Sequence, residues 1–274
     1  MRCLLWLTIV LGLAAGASYE QQVRAWRADR EARLKANDGW LTVVGLNWLK
    51  EGPNRAGTNK DWEVPLPKSL PANVGTFTLA KGKVHFKPAA GVALKEAELK
   101  PDADVLTLGR VKFFVIQREN RFAVRVKDND SEARKHFRGL VWYAPDETWK
   151  IRAKWLKWDK PHTVTFDTEV GVKEQMLSEG VAVFTRGGKQ YRLEPVTEDG
   201  ELFFVMRDAT SGKTTYAASR FLYAALPKDG FVDLDFNKAE NPPCVFTDYA
   251  TCPLPPSQNR LTLSIEAGEK MYRH

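Results

Sequence analysis

The sequence predicts an all-β protein, an antiparallel sandwich or barrel-like set of sheets with one N-terminal helix packed across them. Three features carry that expectation. Short segments of alternating apolar and polar residues recur from Gly39 onward, turns rich in glycine and asparagine separate them, and no second long helical period follows the first. Many short strands at roughly regular spacing are the pattern of sandwiches and barrels.

The first residues read as a secretory signal. Arg2 supplies a positive start, Leu4 to Leu13 an apolar core, and Ala15–Gly16–Ala17 a small-residue cleavage pattern. The apolar run is shorter than the ~20 residues a spanning helix needs, so no transmembrane span is expected. Cys3 precedes the apolar core, which argues against a lipid anchor. The expected product is a periplasmic or secreted protein cleaved after Ala17.

Residues 18–38 hold the helix. Tyr19, Val23, Trp26 and Leu34 fall near one face, and Asn37–Asp38–Gly39 is a stop signal. An N-terminal β region is expected over residues 39–143. Phe77–Leu79 and Lys83–Phe86 flank the turn Ala80–Lys81–Gly82, and Val111–Gln117 and Arg121–Lys127 flank Arg118–Asn120. Ser131–Phe137 fits a single helical turn. Ala144–Pro145–Asp146–Glu147 is a turn or linker, and residues 148–274 form a C-terminal β region, unless the two are one continuous domain.

In that second region Trp149–Lys150–Ile151–Arg152–Ala153–Lys154–Trp155 alternates like a half-buried strand, with its cations outward. Val181–Thr185 and Gln190–Leu193 flank Gly187–Gly188. Leu202–Met206 and Tyr216–Tyr223 bracket the turn from Asp208 to Lys213. The chain then enters Asp235–Phe236–Asn237–Lys238 and a segment from Asn241 to Pro256 with five prolines, Cys244 and Cys252. Proline restricts the backbone, so a fixed irregular loop is expected there, of the kind that often carries a site. In an oxidising compartment Cys244 and Cys252 read as a disulfide closing about nine residues, worth roughly 2–3 kcal/mol. Free thiols and a metal site are the alternatives, but His85, His136 and His162 are each isolated in sequence, so no metal and no cofactor is expected.

The formal net charge of +7 is a mild excess that suits anionic ligands without specifying nucleic acid, and no nucleic-acid partner is expected. Nine tryptophans and fourteen phenylalanines are ample material for a core. The motifs G-x-S-x-G, H-E-x-x-H, G-x-x-x-x-G-K-[ST] and the dinucleotide fingerprint are absent from the sequence.

Gly39–Trp40–Leu41–Thr42–Val43–Val44–Gly45–Leu46–Asn47–Trp48–Leu49 is one motif. Asp208–Ala209–Thr210–Ser211–Gly212–Lys213 through Tyr216 to Arg220–Phe221–Leu222 is a second. With the Asp235–Arg260 segment they resemble the bacterial family catalogued as domain of unknown function 1684, from about Trp26 to about Lys270. The resemblance implies a fold and a cluster of residues, and no reaction. Ser219 stands where it implies glycine, and Glu240 where it implies tyrosine. A fainter likeness links Leu49–Lys50–Glu51–Gly52, Gly57 and Asp61 to Pro67 with the opening of a forkhead-associated sandwich. Thr58 follows Gly57 where that family's phosphothreonine site uses arginine, and its serine–histidine pair is absent.

The candidate ligand-binding residues are Arg207, Asp208, Thr210, Ser211, Tyr216 and Arg220 around the turn, with Asp235, Asn237, Asn241 and Tyr249 leading into the proline loop. Side chains flanking a hairpin turn face each other, and arginine presents a planar fork to carboxylate or phosphate. The same residues would equally serve as a buried Arg–Asp network pinning the loop. Arg125, Lys127, Asp128, Ser131, Arg134 and Phe137 form a second cluster that borders the same cavity or makes a capped turn.

The leading functional expectation is an exported, non-catalytic binder of a small polar or anionic ligand, or an envelope-maintenance protein. The rival is a carboxylate-dependent hydrolase of envelope material with Asp208 or Asp235 as general acid or base. The sequence names no protein partner.

Overall fold

A computed structural model describes residues 17–273, so the expected signal segment lies outside the described residues except for Ala17. Helix α1 (Tyr19–Lys35) starts at a capping box: Ser18 Oγ accepts from the Gln21 amide at 3.3 Å, and Gln21 Oε1 accepts from the Ser18 amide at 2.8 Å. Its buried residues are Val23, Arg30 and Leu34. Among the described residues no helix is long and apolar enough to cross a membrane.

The N-terminal β region contains β1 (Val43–Trp48), β2 (Gly52–Gly57), β3 (Val64–Pro65), β4 (Asn73–Ala80), β5 (Lys83–Pro88), β6 (Ala97–Leu99), β7 (Val105–Leu108), β8 (Val111–Arg118) and β9 (Arg121–Asp128). They form two sheets, β1-β9-β8-β7 and β3-β2-β4-β5-β6, antiparallel except for the β2–β3 pair. One apolar cluster joins the sheets: Phe77, Phe86 and Phe113 meet at 4.7 to 6.2 Å between ring centroids, with Val115 and Val124 beside them. Both expected hairpins form. Lys81 with Gly82, and Glu119, take the positive φ their turns require. Helix α2 (Glu132–Lys135) is the expected single turn, capped by Ser131.

The C-terminal β region contains β10 (Lys150–Asp167), β11 (Lys173–Arg186), β12 (Lys189–Leu193), β13 (Val196–Glu198), β14 (Glu201–Met206), β15 (Arg220–Ala224) and β16 (Phe231–Asp235), in sheets β12-β11-β10-β16 and β13-β14-β15. Along β10, Lys150, Arg152 and Lys154 are exposed and Ala153 is buried, the expected alternation. The long β10–β11 hairpin serves two cores. Ala153, Ala182 and Phe184 pack with Phe204 and Met206 of β14, while Val164 and Phe166 pack with Phe203 and Phe221. Gly180 lies where a Cβ would come within 2.5 Å of the Trp155 ring, so only glycine lets the two strands close there.

The return strand after β14 begins at Arg220, not at Tyr216 as the sequence pattern suggests. Residues 207–219 fold on themselves instead, with Thr210 O accepting from the amides of Lys213, Thr214 and Thr215. Asp208 anchors this turn. Its Oδ1 accepts from the Thr210 amide at 2.7 Å and the Thr210 hydroxyl at 2.6 Å, and its Oδ2 pairs with Arg220 Nη1 at 2.8 Å. Arg220 also donates to the carbonyls of Ile265 and Ala267, which ties the C-terminal segment down. Both side chains are buried.

The proline loop is fixed, as expected. Leu254 N donates to Asp167 O at 2.7 Å, and Thr247 Oγ1 donates to Val43 O at 3.1 Å, so the loop bridges both β regions. Arg30 of α1 closes the arrangement. It pairs with Glu240 at 3.1 Å and Glu269 at 3.0 Å, and donates to Asn241 O at 3.0 Å. Burial pushes the Glu240 carboxyl up to about 7 despite the pull of Arg30, and pushes Glu269 upward as well.

Two outcomes follow from these networks. Asp208→Ala strands a buried guanidinium and should lower unfolding free energy by about 3–5 kcal/mol in urea titrations. An unchanged midpoint would show that the pair does not hold the turn. Glu240 keeps its proton to about pH 7 when folded against an ordinary 4.5, so the folded chain binds the extra proton inside that window and stability falls as pH rises through it. Glu240→Gln should flatten that decline, with a gain of up to about 3 kcal/mol above the window.

Candidate functional site

A cavity of about 220 Å³ lies where the two β regions meet. Strand alternation aims its walls. On β9, Val124 and Val126 point into the N-terminal core, so Arg125 between them points the other way, towards the C-terminal region. On β15, Leu222 joins the C-terminal core while Phe221 and Tyr223 face the cavity. Phe203 of β14 meets both rings, at 4.9 Å to Phe221 and 4.8 Å to Tyr223. Glu174 and Met176 share one face of β11, and Glu198 ends β13. The proline loop adds Pro243, Thr251, Cys252 and Pro253, and α1 adds Arg30. The cavity shares Arg118, Glu174, Met176 and Glu198 with a wide polar groove of about 870 Å³, which gives it a mouth.

Three arginines behave differently here. Arg30 is paired as described. Arg118 pairs with Glu174 at 3.0 Å and Asp102 at 3.6 Å, and donates to Thr251 Oγ1 at 3.3 Å. Arg125 is only 6% exposed, and its Nε and Nη2 have no hydrogen-bond partner among the described residues. Its guanidinium lies 5.2 Å from the Trp40 ring centroid. Burial, then the nearby Arg118 charge, lowers it to about 10, so it remains a cation at neutral pH. Burial also raises Glu174 and Glu198, the latter with help from the Asp199 and Glu174 charges.

The ten residues singled out in the sequence lie elsewhere. Asp208, Thr210, Ser211 and Arg220 make the buried turn, with Ser211 Oγ accepting from the Asp208 amide at 3.2 Å. Arg207 is exposed beside them. Tyr216 donates to Glu169 at 3.1 Å. Asp235 and Asn237 hold the start of α1: Tyr19 OH donates to Asp235 at 2.8 Å and accepts from Asn237 Nδ2 at 2.7 Å. Asn241 donates to Lys270 O at 2.8 Å, and Tyr249 is exposed on another face. None of the ten lines the cavity. The second cluster divides: Arg125 lines the cavity, while Asp128 and Ser131 cap the turn at α2.

The expected disulfide is not formed. Cys244 and Cys252 are free thiols, side by side, with the Cys244 amide donating to Cys252 Sγ at 3.1 Å. The hydrogen bond with Cys252, then burial, holds the Cys244 thiol far above its ordinary range, so it is no thiolate nucleophile. Among the described residues no group of three or more His, Cys, Asp or Glu is placed to hold a metal ion.

Sequence reasoning reaches the proline loop and the Trp40 motif, and it names Glu240 as a departure. It misses Arg118, Glu174, Met176, Glu198 and Tyr223. Only the strand alternation that turns Tyr223 away from Leu222 could point to any of them.

No curated protein matches this chain. A solution structure of an uncharacterized protein from Haloarcula marismortui is 30% identical, covering 50% of this chain and 78% of that one, with a TM-score of 0.43. Residues 135–270 match a family described as "Protein of unknown function (DUF1684)"; the matched stretch contains Glu174, Glu198, Tyr223 and Glu240 and begins after Arg125. The chain belongs to that family.

Proposed function

We propose that this protein is an exported, non-catalytic binder of a small anionic ligand, held in the cavity by Arg125. The observation that carries the reading is the buried guanidinium with two unpartnered nitrogens. A buried donor without an acceptor costs about 1–3 kcal/mol, more when charged, and an entering carboxylate or phosphate would offset that cost. Arginine suits either group because its planar fork donates two parallel hydrogen bonds. A cavity of about 220 Å³ falls below the ~300–1,000 Å³ of drug-sized sites, which favours a metabolite-sized ligand. The hydrolase alternative loses support at Asp208, which is buried with both oxygens bonded to protein groups. Export rests on the sequence of residues 1–17.

Titration calorimetry with acetate, succinate and inorganic phosphate tests the binding. At least one should bind to the wild type and fail to bind to Arg125→Met. The same substitution removes an unpaired buried charge, so it should raise the unliganded melting temperature. A lower melting temperature together with unchanged binding would assign Arg125 to structure. Intact-mass measurement of exported protein should show cleavage after Ala17. A full-length mass would remove the export reading.

A further inference from the structure

We infer that the ligand of this cavity is a zwitterion, with a carboxylate at Arg125 and an ammonium group at Glu198; this rests on the binding reading above. The charges that line the cavity are Arg30, Arg118 and Arg125 against Glu174, Glu198 and Glu240. Two of the three cations are already engaged: Arg30 pairs with Glu240 and Glu269, and Arg118 with Glu174 and Asp102. What remains is one cation, Arg125, and one acid, Glu198, which has no ion-pair partner among the described residues and lines the cavity with Tyr223. A purely anionic ligand would satisfy Arg125 but bring a second negative charge towards Glu198 and Glu174. A ligand with both signs answers both residual charges at once.

The walls around these charges supply the rest of the specificity. Phe203, Phe221, Met176 and Trp40 give an apolar lining, and Tyr223 places an aromatic ring beside Glu198, where a cation is favoured by ring and carboxylate together. Burial disfavours the bare Glu198 carboxylate, and a bound ammonium would stabilise the charged form. The chemical class is therefore a free α-amino acid with an apolar side chain, or a compound with the same two charged ends and apolar body.

The test is calorimetry with L-leucine, L-methionine and L-phenylalanine, each beside its N-acetyl derivative, on wild type, Arg125→Met and Glu198→Gln. The zwitterion reading expects each bound free amino acid to exceed its N-acetyl form at least about tenfold in affinity. Glu198→Gln should erase that preference while retaining binding of the N-acetyl form, and Arg125→Met should abolish both. N-acetyl forms binding as tightly as the free amino acids, in an Arg125-dependent way, would overturn the zwitterion and leave the anionic reading standing. Free amino acids failing to bind while acetate, succinate or phosphate binds would do the same. Failure of every one of these compounds would overturn both readings. Circular dichroism and the melting temperature of Glu198→Gln show whether that variant remains folded.

Discussion

Arg30 is the contact on which the arrangement of this protein depends. One guanidinium from the helix reaches two glutamates and a carbonyl that come from the far end of the chain. Removing a guanidinium from water is costly, and the Glu269 carboxylate and the Asn241 carbonyl offset that cost only once they are in place beside it. The contact therefore forms only when the helix, the loop after β16 and the C-terminal segment have all docked. It also sets the cavity's electrostatics, because Glu240 is engaged by Arg30 and is not free to neutralise Arg125.

The secondary elements are largely legible in the sequence. Glycine turns, strand alternation and helix caps are local signals, and they locate the hairpins at Ala80–Gly82, Arg118–Asn120 and Gly187–Gly188 and the short helix after Ser131. The return strand after β14 is expected too early because apolar alternation resumes at Tyr216, whereas Asp208 and Thr210 draw the intervening residues into a turn of their own. Arg30 falls on the helix face of Val23, Trp26 and Leu34, but nothing nearby in sequence announces Glu240 or Glu269 as its partners.

The site is less legible for the same reason. Dense polar side chains near Asp208 and Asp235 look like a binding cluster, but short-range density is equally what a pinned turn requires. Arg125 belongs to the second cluster, expected to border a cavity or to make a capped turn, and it sits between Val124 and Val126 on β9. It is outward from its own sandwich. The docking of the C-terminal region, through contacts such as Arg118 to Thr251 and Thr247 to Val43, turns that outward face into an interior one. No local pattern records an enclosure that two distant regions make together.

Buried arginines in this protein then separate by what they touch. Arg30 and Arg220 each reach a carboxylate and at least one backbone carbonyl, and removing their partners strands a charge. Arg125 is as buried as Arg30, yet its Nε and Nη2 reach no acceptor among the described residues. Arg220 leaves only its Nε without a partner, whereas Arg125 leaves both Nε and Nη2 and is met by the Trp40 ring, so an incoming acceptor would gain most at Arg125. The walls around it are held by a proline-rich loop already tied to both β regions, so a ligand would meet donors that are fixed in advance and lose little affinity to ordering the site.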